Sequence, residues 1–598
     1  MKKNIFVLLT IFLVALAISL PLAKPGLYTI HDDQQIARLF LFDQALKAGQ
    51  FPVRWVDGLG FGFGYPLFVF YPPFVYILGE IFHLLGFNFI NSIKLVFFTS
   101  IVASGIAMYI LAKEFWGRYC AVVASVFYLL VPYRALDIYV RGALAESFSF
   151  VWLPLILWSF YRLQKTNKTL YIYISAIFLA LLMITHNLIF LPFMLILPFY
   201  LFFLILLSDG KKKFIVNCFW SIVALLGLSA FFWIPAILEK KFTIVDQLLL
   251  IKLADYHIHF VYPWQLWNSL WGFGGSAAGF ADGISFKIGK LHVLVSLAAF
   301  VLAVAYIFKR RNINRQWPTP LKSQHEPSTN SSEKANAKIN GVNCQLSTVF
   351  FSLFLFSAFM TTFHSKPIWD SIPFLGYLQF PWRFLIFTAL FSSFLAGAFV
   401  YFLKLPILKL IAASLLIILV FIPNFKLFKP QTYRLNLTDE VATSEEIINW
   451  DISQSSFEYI PKGVELKESK LNTNDVNIKK SEIPTQKVEI VSGQAQITDL
   501  KTTPSQVKFR IDAKGISQVR INIFNFPGWQ AKVDQVKVSI KDSSPFKLIT
   551  LDIPIGSHNI EVKFQNTQVR SSANLITLVS LVILFSLVIK RWKTQVIL

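Results

Sequence analysis

The side chains best suited to chemistry in this chain gather in a few stretches between long apolar runs. His31-Asp32-Asp33 stands just beyond the first of these runs. Two adjacent carboxylates beside a low-dielectric surface suit a general base, a contribution of about 10²–10⁴ in rate. The same pair suits capping of a helix starting near Gln34, because Asp accepts hydrogen bonds from the free amides of a first helical turn. Arg54-Trp55 follows in Gly49-Gln50-Phe51-Pro52-Val53, where the Arg can hold a lipid phosphate or anchor at the headgroups. A third group holds Arg134, Asp137, Arg141 and Glu146. The planar fork of Arg141 matches phosphate oxygens, and its spacing equally permits pairing with Asp137 at i,i+4 or with Glu146. His186-Asn187 interrupts two apolar runs, as a capped turn or as a ligand contact, and Arg383 heads a later run.

Other motifs carry less. Gly58-Leu59-Gly60-Phe61-Gly62-Phe63-Gly64 lacks the Gly-Lys-Ser/Thr of a phosphate loop and reads as a tight loop packed at the membrane surface. His257-Ile258-His259 has no Cys nearby, and Cys120, Cys218 and Cys344 lie far apart, so neither a metal centre nor a disulfide framework is expected. No cofactor is implied, and the pattern gives a divalent metal no support.

These groups must be positioned by a membrane protein. Of 598 residues, 55% are apolar and only 15% charged, with 61 Phe; mean hydropathy is +0.57. So few charges cannot coat the four soluble domains that this length would suggest at about 150 residues each. Twelve runs approach the roughly 20 residues that cross a bilayer, at about 5–22, 92–112, 119–133, 148–161, 169–187, 188–207, 214–234, 290–308, 346–363, 382–403, 406–424 and 573–589. The opening Met1-Lys2-Lys3 and its apolar run are read as a retained first helix, because Leu20-Pro21-Leu22-Ala23 is a poor signal-peptide cleavage site. A further run, 67–86, carries Glu80 and His83 after Tyr71-Pro72-Pro73 and reads as interfacial or re-entrant.

The net charge of +23 resides mainly in short loops such as Lys211-Lys212-Lys213 and Lys309-Arg310-Arg311. Positive loops stay cytoplasmic, which places both termini inside a plasma membrane and the acids, Arg and His groups above at its outer face. The excess then needs only orientation and anionic lipid headgroups, not nucleic acid. Residues 1–424 form the transmembrane part, with 309–345, poor in large apolar residues, expected as a disordered cytoplasmic linker. Residues 425–572 hold 20 basic and 17 acidic residues and short alternating β-branched segments separated by turns such as Phe526-Pro527-Gly528. They read as an exterior β-sandwich, followed by a last helix and basic tail, 573–598.

The order of the motifs resembles a known group. His-Asp-Asp, Gly-x-x-Pro-x-Arg-Trp, Phe-Tyr-Pro-Pro, Arg141-Gly142-Ala143-Leu144-Ala145-Glu146, Thr185-His186-Asn187, Gln379-Phe380-Pro381-Trp382-Arg383-Phe384 and Glu458-Tyr459-Ile460-Pro461 occur in sequence. This resembles the bacterial 6-pyruvoyl-tetrahydropterin synthase-related membrane domain family, similar in turn to the YfhO-like group of the GT-C glycosyltransferase superfamily. No His cluster supports pterin chemistry itself. The resemblance implies a GT-C-like polytopic α-helical fold of about twelve spans with juxtamembrane helices and an exterior β-domain. It implies an inverting transfer of sugar from a polyprenyl-phosphate donor to a cell-envelope glycan, lipid or protein acceptor. Asp33 or Asp32 would be the base, and Arg54, Arg141, Glu146, His186 and Arg383 the substrate- and phosphate-binding set. The alternatives are a carrier or flippase for lipid-linked sugars and a non-catalytic glycan-binding envelope protein.

The charge pattern generates a direct test. A Cys at Ser543 is expected to react with an impermeant maleimide on intact cells, and one at Ser328 only after permeabilisation; the reverse would invert the topology.

Overall fold

The computed structural model describes residues 2–248, 255–316, 331–464, 478–542 and 545–596; Ser328 and Ser543 lie outside them. The apolar runs are helical, as their length and lack of charge require. Among the described residues eight helices are long and apolar enough to cross a membrane, or up to ten if the bent pairs Arg118–Leu129 with Pro132–Arg141 and Lys211–Leu228 with Ala230–Phe242 each count once. Two of the twelve expected spans, Val7–Ala23 and Leu170–Thr185, are apolar but shorter. The second has 16 residues, or about 24 Å at 1.5 Å per residue, against a hydrocarbon core of about 30 Å. Their flanks stop them: Pro21 opens a 3₁₀ turn after the first, and the chain turns extended at His186 after the second.

Burial sorts these helices into centre and rim. The span Pro381–Phe402 is 89% buried, whereas Pro406–Phe425 and Gln568–Leu587 are each 17% buried. The rim helices turn side chains such as Leu410, Ile422, Leu578 and Phe585 outward, the arrangement a lipid solvent requires. The run 67–86 does not form one helix. Tyr71-Pro72-Pro73 splits it into Leu67–Phe70 and Phe74–Leu84, because Pro removes an amide donor and restricts the residue before it.

The expected disordered linker is corrected where it is described. Helix Lys290–Gln316 continues past residue 309, and Ser331–Thr361 already includes 331–345. The polar composition there does not prevent helix formation, since Ala, Lys, Glu and Asn all tolerate a helix. Residues 317–330 lie outside the described set.

After Phe425 the pattern changes to strands. Val488–Ser492 (β1), Ala495–Thr503 (β2), Gln506–Ala513 (β3), Ser517–Phe524 (β4), Trp529–Val533 (β5), Val536–Val538 (β6), Leu548–Ile553 (β7) and Gly556–Phe564 (β8) form two antiparallel sheets. Their orders are β2-β3-β8-β5-β6 and β1-β4-β7. Along β3, Val507, Phe509 and Ile511 are buried while Lys508, Arg510 and Asp512 are exposed, the period-two signature of a sheet with one covered face. This β-region shares its core with the first long loop. The Trp55 ring lies 5.3 Å from those of Trp529 and Phe564, and Phe63 lies 5.2 Å from Phe524. Gly64 permits this approach: its φ is +82°, and a Cβ there would stand 2.6 Å from the Trp55 ring.

Between helices Gln35–Lys47 and Phe74–Leu84, the carboxyls of Asp43 and Glu80 are both buried. Burial, reinforced by Asp43, raises the Glu80 proton affinity to about 6, with His83 and Lys47 opposing. The folded protein therefore binds this proton more tightly than the unfolded chain. Its stabilisation is complete below the unfolded value near 4.5 and is lost as pH rises through about 6. Glu80→Gln is expected to stabilise the fold at pH 7 by an amount on the order of 1–2 kcal/mol, read as a higher melting temperature, and to flatten stability between pH 4.5 and 6. An unchanged pH–stability profile would refute the assignment.

Candidate functional site

One cavity of about 860 Å³ collects most of the polar motifs, being lined by Asp32, Arg38, Arg141, Glu146, His186 and Arg383 among others. Arg38 comes from helix Gln35–Lys47, and the others from places where regular structure begins or breaks. The helix after Pro132 widens into a π-turn over Asp137–Arg141, a distortion that often marks functional positions. Gly142 ends it at φ +68°, where a Cβ would meet Ile30 at 2.5 Å; only Gly fits. The chain before Asp32 is laced to this turn, with the His31 amide donating to Val140 O at 3.1 Å and the Asp32 amide to Arg141 O at 2.8 Å. Tertiary structure thus sets Asp32 beside Arg141 across more than a hundred residues of chain.

The floor is an ion cluster. Arg141 Nη1 donates to Asp137 Oδ1 at 2.5 Å and to Glu146 Oε2 at 2.9 Å. Glu146 also accepts the Tyr133 hydroxyl at 2.5 Å, and Arg383 Nε lies 3.8 Å from it. Arg383 Nη1 donates to Leu378 O. The Arg141 guanidinium sits 4.6 Å from the centroid of the Trp382 ring. The internal pairing of Arg141 is therefore observed, and among the described residues its Nε and Nη2 carry no hydrogen bond. Gln379, also on the wall, has φ +61°, a strained backbone for a residue with a side chain.

The two adjacent acids separate. Asp32 is half-buried on the cavity wall, while Asp33 is exposed and outside the lining. Neither caps the next helix, whose N-cap is Gln34 with no side-chain bond. Although open to solvent, Asp33 is surrounded by protein; that loss of bulk water raises its proton affinity, Arg434 opposes the rise, and Asp32 and Asp451 add to it. His186 lines the cavity and also caps, its Nδ1 accepting the Ile189 amide at 3.2 Å.

Arg54 is not brought to this cavity. It is buried, its Nη2 donating to Phe231 O at 2.7 Å and Asn574 Oδ1 at 3.0 Å, and burial with neighbouring Arg570 lowers its proton affinity to about 10. Its residue type suits phosphate, but its position ties the first long loop to the last helix. Arg134 likewise lies under aromatic rings, 4.1 Å from the Phe150 centroid.

Several lining residues were absent from the expected site. Arg38 donates to Ser456 Oγ at 2.8 Å and stacks 4.4 Å from the Tyr71 centroid. Glu458 accepts the Tyr65 hydroxyl at 3.2 Å, and Lys240 pairs with Asp246 at 2.9 Å and the Tyr377 hydroxyl at 2.7 Å. The Glu458-Tyr459-Ile460-Pro461 and Phe-Tyr-Pro-Pro motifs were a signal for two of these walls; nothing local marked Lys240. Among the described residues no group of three or more His, Cys, Asp or Glu side chains is placed to hold a metal ion.

Distant likenesses exist among solved structures. The arabinofuranosyltransferase AftD from Mycobacteria aligns at 14% identity and TM-score 0.37, over 70% of this chain and 27% of that one. The Archaeoglobus fulgidus oligosaccharyltransferase, in complex with Zn and sulfate, aligns at 16% identity and TM-score 0.36, over 73% of this chain and 53% of its own. The chain thus spans about a quarter and about half of their lengths. No curated protein matches. Residues 68–281 match the model of a family described as the 6-pyruvoyl-tetrahydropterin synthase related domain of membrane proteins. That segment includes the π-turn, Arg141, Glu146 and His186, in line with the resemblance carried by the motifs: over residues 68–281 the chain is similar to the 6-pyruvoyl-tetrahydropterin synthase related domain of membrane proteins.

Proposed function

We propose that this protein is an inverting membrane glycosyltransferase, moving a sugar from a polyprenyl-phosphate donor to a cell-envelope acceptor at the outer face of the plasma membrane. The observation that carries this reading is the single cavity joining a half-buried carboxylate, Asp32, to guanidinium donors of Arg141 and Arg383. In the reaction, Asp32 takes the proton of the acceptor hydroxyl. The freed oxygen attacks the anomeric carbon from the face opposite the phosphate. The bond from that carbon to the phosphate oxygen breaks, and its electron pair leaves with the lipid phosphate.

The leaving charge falls to Arg141 Nε and Nη2 and Arg383 Nη2, groups held in place before the reaction by Glu146. Fixed donors aimed at developing charge stabilise it without reorganisation. Leu188, Leu191, Ala236 and Ile237 on the same wall suit a prenyl chain. The two antiparallel sheets are read as an exterior sandwich over the cavity's mouth, contributing Glu458 from the segment that leads into them. Asp32 is preferred over Asp33 because it lines the cavity.

The test is sugar transfer from a labelled polyprenyl-phosphate donor by the purified full chain. Asp32→Asn is expected to cut transfer by about 10²-fold or more while leaving donor binding intact; Asp33→Asn is expected to act much more weakly. Arg141→Lys should weaken both donor binding and turnover. Glu146→Gln should lower the melting temperature, since unpairing a buried ion cluster costs about 3–5 kcal/mol. If Asp32→Asn reduces transfer less than about tenfold, the base lies elsewhere. If the intact chain binds the donor and never transfers it, the carrier or glycan-binding reading replaces this one.

A further inference from the structure

The segment between Tyr262 and Lys290 exposes an edge that a water-facing loop would not keep. Trp264 is 51% exposed, Trp267 41%, Leu270 88% and Phe280 64%. These side chains form a patch rather than scattered points: Phe280 lies 4.2 Å from the Tyr262 ring and 6.2 Å from Trp264. Two cations border it, with Lys290 Nζ 5.6 Å from the Trp267 centroid and Lys287 Nζ 5.4 Å from Trp271. The one acid of the segment, Asp282, is turned inward, accepting from Gln265 Nε2 at 2.9 Å, from Ser276 Oγ and from the Ala277 amide.

The patch also runs straight into a lipid-facing surface. Helix Lys290–Gln316 begins where the segment ends, and its Leu294, Leu297 and Val301 are about half exposed, as a membrane span's outer face is. Aromatic side chains with an apolar body and a polar edge partition to the headgroup level, and Lys beside them meets lipid phosphates.

We propose that residues 262–290 are an interfacial membrane anchor, inserting the Trp264, Trp267, Leu270 and Phe280 edge into the headgroup–acyl boundary of the leaflet where helix Lys290–Gln316 begins. The anchor is joined to the cavity region at two points, through Phe273 and Phe286, and His259 just before it adds a third contact. His31 Nε2 bonds Phe273 O at 3.0 Å, next to Asp32. The His259 ring packs 4.7 Å from Phe380, and Phe286 lies 5.9 Å from Trp382, the ring beneath Arg141. Insertion therefore sets the height of the cavity above the bilayer. This holds whether or not the cavity transfers sugar.

The test uses the full chain, its three cysteines replaced by Ala, in lipid nanodiscs. An environment-sensitive fluorophore is attached at Leu270→Cys, with Ser492→Cys on the exposed β1 strand as control. The Leu270 label is expected to emit to the blue of the control and to lose most of its intensity when nitroxide lipids labelled near the headgroup are included. The control is expected to be unaffected. A water-like, unquenched Leu270 label overturns the anchor. A blue-shifted but unquenched one also overturns it, showing protein rather than lipid over the patch. Phe280→Cys repeats the measurement should the first variant fold poorly, and the same two outcomes apply.

Discussion

The burial of a small set of opposite charges constrains the rest of this structure. Arg141, Arg383, Asp137 and Glu146 lie beneath the cavity with little or no access to bulk water. Removing single ions from water costs several kcal/mol each even after relaxation, so such a set persists only if it is matched in sign and well bonded. Here two cations meet two anions, and the Tyr133 hydroxyl fills a remaining lone pair of Glu146. The four come from three structural breaks: Asp137 and Arg141 from a π-turn, Glu146 from the first turn of helix Leu144–Thr166 and Arg383 from the 3₁₀ entry to helix Leu385–Phe402. Holding these breaks in register requires the tightly packed central helices, and those are the most buried of the candidate spans.

The same cluster relates stability to chemistry. Because the carboxylates engage Arg141 through one nitrogen only, its fork is oriented without being saturated. A guanidinium held this way keeps donors free on the cavity wall at no cost in reorganisation, the arrangement on which the proposed function rests. Arg54 shows the contrast. Its two printed bonds go to a carbonyl and an amide oxygen through Nη2, near Arg570, which itself pairs with Glu239 at 2.8 Å. That arrangement spends the cation on joining the first loop, helix Ala230–Glu239 and the final helix. Two arginines of equal chemical promise are thus divided by position into a cavity wall and a structural tie.

The first long loop and the β-region are likewise one unit in packing, whatever their separation in sequence. Trp55, Phe63 and Phe70 carry the aromatic core from the loop into the sheets, and the Phe524 amide donates to Phe63 O at 2.9 Å. Arg38 and Glu458 both line the cavity beside this joint. The aromatic segment 262–290 packs near the same cavity through Phe273 and Phe286, so three separate stretches of chain bear on one site.

What the sequence determined by itself follows from short-range physics. Twelve apolar runs become helices because a charge-free stretch near 20 residues has no other way to satisfy its backbone in lipid, and Tyr71-Pro72-Pro73 breaks one helix because Pro lacks an amide. Alternation at 507–512 dictates a strand. The order of motifs was enough to mark Asp32, Arg141, Glu146, His186 and Arg383. What only the tertiary structure decided is where those side chains meet. Adjacent residues such as Asp32 and Asp33 carry the same local signal, and only the pairing of the Asp32 amide with Arg141 O sends one to the cavity and the other to solvent. Lys240 and Arg38 join the wall, and Arg54 leaves it, through contacts between segments that residue type and spacing do not encode. The reason is physical: helix and strand arise from hydrogen bonds and hydrophobic patterns within a few residues, whereas a charge's role depends on which distant charges share its low-dielectric surroundings.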